Sequence, residues 1–115
     1  MKFAYVTMAL ALGSCATAPS YSGCSISLDG PVDAEFRAAT MCVLSQAREL
    51  EPSGEPAEAI GRAAVQRCTG PIVAYEQAVE RSGCVAPDSA RRLNASTRLT
   101  LADRAATEVI VVRSR

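Results

Sequence analysis

Three stretches of this chain carry apolar residues at steps of three and four positions, the spacing of one buried helix face. The first runs from Asp33 to about Leu50, with Phe36, Ala39, Val43, Ala47 and Leu50 on its stripe. Gly30-Pro31 precedes it, Asp33 and Glu35 suit the positive first turn, and Pro52 and Gly54 end it. The second begins near Glu55-Pro56, where proline is tolerated, and shows Ile60, Ala64, Cys68, Ile72, Tyr75 and Val79. Gly70-Pro71 interrupts it, so a kink or break is expected there, and Ser82-Gly83 closes it. The third follows Pro87-Asp88, with Asp88 expected as N-cap and a stripe of Ala95, Leu99, Ala102, Ala106 and Val109. Val109 to Val112 (VIVV) is β-branched and reads as a fraying helix end, a short strand or an apolar tail. One such run builds no sheet. The expected fold is all-α: a helical hairpin plus a third helix over residues 31–115.

The amino terminus follows a different pattern. Lys2 and the free amine are positive, and Phe3 to Gly13 then runs uncharged for eleven residues. A membrane-spanning helix needs about 20 apolar residues, whereas ~10–14 suits the apolar region of a signal peptide. Two cleavage patterns compete after it. Ala16-Thr17-Ala18 offers the small residues of an ordinary signal peptidase site, but Pro19 follows directly and makes a poor substrate. Leu12-Gly13-Ser14-Cys15 resembles instead the lipobox of bacterial lipoproteins, with Gly then Ser where Ala or Ser and then Gly or Ala are commonest. That resemblance implies removal of residues 1–14 and acylation of Cys15. It also implies a flexible tether over 15–30 and, because Ala16 follows the cysteine, an outer-membrane anchor facing the periplasm. Acyl chains contribute about 0.8 kcal/mol per buried CH₂, so such an anchor would be lasting. A soluble periplasmic or secreted protein, acting as inhibitor or carrier, is the alternative.

Cysteine arithmetic bears on this choice. Five cysteines stand at 15, 24, 42, 68 and 84. An odd number in an exported chain leaves a reactive thiol to explain, and a lipid on Cys15 removes the difficulty. Four cysteines allow three connectivities, of which spacing favours one. The midpoints of Cys42–Cys68 and Cys24–Cys84 fall at 55 and 54, both inside the breaker Glu51-Pro52-Ser53-Gly54-Glu55-Pro56. A chain folding back there brings Cys42 to Cys68 and Cys24 to Cys84, as nested staples. The layout resembles, in pattern only, the twin-cysteine hairpins of small oxidised helical proteins.

Composition explains why staples are needed. After residue 14 only Tyr21, Phe36 and Tyr75 are aromatic, and alanine supplies much of the apolar count. At roughly 25 cal/mol per Å² an alanine-rich core gains little. Charge is balanced overall, with twelve basic and twelve acidic residues, which argues against nucleic-acid binding by bulk charge. It is uneven, with seven Arg and three acids over 81–115. A basic third helix packed on an acidic hairpin accounts for this more simply than a tail bound to an anionic surface.

Candidate chemistry is sparse. The chain has no His, so Ser/His and Cys/His nucleophile systems cannot be assembled, and no Cys-x-x-Cys points to metal or redox work. Glu49, Glu51, Glu55 and Glu58 crowd the turn and raise the idea of a carboxylate pair for glycan hydrolysis. Solvated turn charges explain them better. Tyr75 reads as core, and Asn94-Ala95-Ser96 as a chance glycosylation match. No catalytic, cofactor or metal residue is expected, and the reading is a non-enzymatic envelope lipoprotein. Its expected partners are the membrane, through the lipid, and an unidentified envelope protein.

Overall fold

The computed structural model describes residues 30–115, and over them the chain is helical throughout, with no strand. Helix α1 spans Pro31–Leu50, a single 3₁₀ turn covers Glu51–Ser53, and α2 spans Ala57–Arg67. Helix α3 spans Thr69–Arg81 and α4 spans Pro87–Arg113. Residues 1–29, and with them the expected signal peptide, Cys15 and Cys24, lie outside the described residues.

Each boundary has a local cause. Pro31 and Pro87 open α1 and α4, where the fixed φ of proline suits the first turn and its missing N–H is not needed. Gly54 takes φ 75°, a left-handed turn conformation that costs glycine little. The expected interruption near Pro71 falls slightly earlier. Arg67 ends α2 and Cys68 sits between the helices at φ −103°, ψ 26°. Arg67 is the residue four before Pro71, whose carbonyl a proline ring would strike. Pro71 is then harmless in the first turn of α3. The Thr69 hydroxyl donates to the Gln66 carbonyl at 2.8 Å, occupying one of the carbonyls that α2 leaves open.

Chain direction alternates: α1 runs one way, α2 and α3 return, and α4 runs parallel to α1. Glu51 near the end of α1 meets Arg113 at the end of α4, and Arg48 pairs with Glu108 at 3.0 Å. We call this end the tip. The opposite end, the base, brings the start of α1 to the end of α3, where Pro31 and Val32 share a groove with Arg81 and Ser82. The core between them consists of Ala39, Val43 and Ala47 of α1, Ile60, Ala64, Cys68 and Ile72 of the middle strip, and Leu101, Ala105 and Val109 of α4. Four of these ten are alanines and none is aromatic, so burial per residue is modest and helix axes must approach closely where alanines meet.

Expectation and structure part company on α4. The expected stripe contained Ala95, Leu99, Ala102 and Ala106, yet Leu99 is 70% exposed and Ala95 is exposed as well. The buried face is Ala90, Asn94, Leu101, Ala105 and Val109. Both stripes have helical spacing, and alanine stands on each, so periodicity alone does not choose between them. Three further details differ. Asp88 is not the N-cap: Ala86 holds that position without a side-chain bond, and Asp88 in the first turn pairs with Arg91 at 2.7 Å. Pro56, not a first-turn residue, is the N-cap of α2. Val109–Val112 is neither strand nor frayed tail but part of α4.

Candidate functional site

The tip collects the carboxylates singled out by sequence. Glu51 is half-buried, while Glu49, Glu55 and Glu58 are exposed. What organises this region is a cation. Arg113 donates through Nη2 to the backbone carbonyls of Glu55 at 2.7 Å and Glu51 at 3.3 Å, and its Nε lies 3.5 Å from the Glu51 carboxylate. Arg113 therefore pins the end of α4 across the turn, and the Glu51 carboxylate is engaged in that pin. A general acid needs a walled site that disfavours its charged form. The lining of the neighbouring groove is Leu50, Ser53, Glu55, Ala59, Ile60 and Ala63, with only Glu55 titratable. Such an arrangement holds the turn in place.

Cysteines meet where spacing put one pair of them. Cys42 of α1 bonds Cys68, at the junction of α2 and α3, with Cα atoms 6.0 Å apart. Cys68 is fully buried and Cys42 half-buried. Cys84, in the link between α3 and α4, is disulfide-bonded too; its expected partner, Cys24, lies outside the described residues. Cys15 lies outside them as well.

At the base a groove of about 440 Å³ runs between α1 and α3. Pro31, Val32 and Glu35 form one wall, and Ala78, Arg81 and Ser82 the other. Its floor is mainly apolar, and its rim carries one acid and one base. Among the described residues no group of three or more His, Cys, Asp or Glu could hold a metal ion. No described helix is long and apolar enough to cross a membrane.

Tyr75 is buried, its ring centroid 5.3 Å from that of Phe36 in a tilted contact that ties α3 to α1. Its place is the core. Asn94 lies within α4 and is only 8% exposed, which leaves its side chain poorly placed to receive a glycan. Its Oδ1 is buried without a hydrogen-bond partner, a feature that sequence pattern did not single out. Glu76 and Arg98 form an ion pair joining α3 to α4. The hydrogen bond that Arg98 Nε donates to the Glu76 carboxylate, with that carboxylate's charge, outweighs burial and pushes the Arg98 guanidinium above its ordinary value. Arg98 thus stays charged in the fold, a structural cation and not a free one.

No family model, characterised protein or solved structure matches this chain.

Proposed function

We propose that this protein is a small, non-enzymatic cell-envelope lipoprotein, anchored through acylated Cys15 and presenting a stapled helical bundle to a protein partner. The observation that carries the reading is the state of the cysteines. Cys42 and Cys68 are bonded to each other and Cys84 is bonded as well, so a single cysteine of the pair Cys15 and Cys24 remains. Cys15 is the one that ends Leu12-Gly13-Ser14-Cys15. A lipid on that thiol leaves none to react in an oxidising compartment.

The geometry gives such an anchor a consequence. The chain enters the bundle at Gly30, at the base, so the base is the end nearest the membrane. The tip then points away from it. Helix α4, 27 residues long, spans about 40 Å at 1.5 Å per residue, which sets the height of the bundle above its tether. The engagement of Glu51 by Arg113 favours a structural or binding role over hydrolysis.

Metabolic labelling with a palmitate analogue tests the reading. Label is expected on the wild type and absent from Cys15→Ser. Equal label on both, or none on either, overturns it. An exported form that begins at Thr17 or Pro19 would assign the soluble alternative instead.

A further inference from the structure

The groove at the base lies between two points that constrain the chain before Gly30. Cys84 follows Ser82, one of its lining residues, and donates its backbone N–H to the Ser82 hydroxyl at 3.2 Å. The disulfide partner of Cys84 precedes Gly30, because Cys42 and Cys68 are bonded to each other. Gly30 itself leads straight into Pro31, on the opposite wall. A chain that leaves one wall and is tied beside the other has a short path across the groove.

The segment between these points suits it. Cys24 to Gly30 is six residues, with a reach of about 20 Å when extended. Its sequence, Ser25-Ile26-Ser27-Leu28-Asp29, places its two apolar residues two apart. In extended chain such residues face the same side. We propose that Ser25–Asp29 docks along this groove with Ile26 and Leu28 against Val32 and Ala78, clamped by a Cys24–Cys84 disulfide. The clamp covers apolar surface that the helices leave open and fixes where the chain enters the bundle. One consequence rests on the lipoprotein reading: nine residues separate Cys24 from Cys15, so the base is leashed within about 30 Å of the acyl chains. The tip is thereby held out from the membrane.

The test uses membrane-extracted, unreduced protein, with disulfide-linked peptide mapping and hydrogen exchange on the same sample. The expected map links Cys24 to Cys84, and the amides of 26–28 exchange about tenfold or more slower than those of free chain. In Ile26→Asp/Leu28→Asp, and separately in Ala78→Arg, which fills the groove from α3, that protection is lost while α1 and α4 keep theirs. A Cys24–Cys84 link with unprotected 26–28 overturns the docking and leaves the lipid anchor standing. A Cys15–Cys84 link overturns both.

Discussion

Gly61 of α2 lies directly against the backbone of Ala102 of α4: a Cβ at position 61 would overlap the Ala102 carbonyl oxygen. The obstacle is backbone and cannot rotate away. Gly61 is buried, next to Ile60 and one turn before Ala64, so the closest helix approach runs through the smallest residues. Gly61→Ala should gain about 1 kcal/mol of helix propensity and lose more to overpacking, which typically costs 1–3 kcal/mol. The expected result is a net destabilisation of up to about 2 kcal/mol in urea denaturation. Gly70→Ala is the control, since nothing stands within 4 Å of a Cβ there. It should be neutral or stabilising.

The register of α4 makes a second pair of variants informative. Leu101 is fully buried and Leu99, two residues away, is 70% exposed. Leu101→Ala should cost about 2–5 kcal/mol, through lost transfer energy and the cavity left behind. Leu99→Ala should stay within about 0.5 kcal/mol, as surface substitutions usually do. Thermal melts of the two proteins distinguish them directly. Equal losses would contradict the register.

The cysteine staple across α1 and the α2–α3 junction closes a sequence separation of 26 residues. In the loop-entropy model such a bond stabilises by about 3–4 kcal/mol. Replacing Cys42 and Cys68 together by Ala should therefore lower the unfolding free energy by about that much, measured by urea denaturation against the oxidised wild type. A loss below about 1 kcal/mol would mean that the helices hold their places without the bond.

Asn94 offers the opposite sign. Its Oδ1 is buried and unpartnered, and leaving a polar group unsatisfied costs about 1–3 kcal/mol. Asn94→Leu, of similar size and without that group, should raise the melting temperature by several degrees, at roughly 4–8 °C per kcal/mol for a domain this small. A lowered melting temperature would show that the amide is held by a bond that ordered water supplies.

Sequence pattern carried far where the apolar residues were distinctive. Ile60, Ala64, Cys68, Ile72, Tyr75 and Val79 all lie buried, because the larger apolar residues mark that face, with Val65 and Val73 only partly buried beside it. Helix α1 likewise buries Ala39, Val43 and Ala47. On α4 the pattern misled, since alanines occupy two faces and a lone Leu99 outweighed Leu101 in the spacing. Only the neighbouring helices decide which face turns inward. The symmetry of Cys42 and Cys68 about Glu55, inside the breaker, was enough to pair them. Nothing in local sequence joined Arg113 to Glu51, whose partnership depends on α4 being long enough to reach the turn. Gly61 carried a signal that went unused: a glycine beside a buried stripe marks close backbone approach.

The cysteines are the feature on which the functional reading turns, and one measurement reads all five of them. It is the intact mass of membrane-extracted protein before and after reduction. The predicted mass is that of a chain beginning at Cys15 and carrying acyl groups, with reduction adding the hydrogens of two disulfides and no thiol free beforehand. An unacylated chain beginning at any other residue, or a free thiol in the unreduced sample, would contradict it.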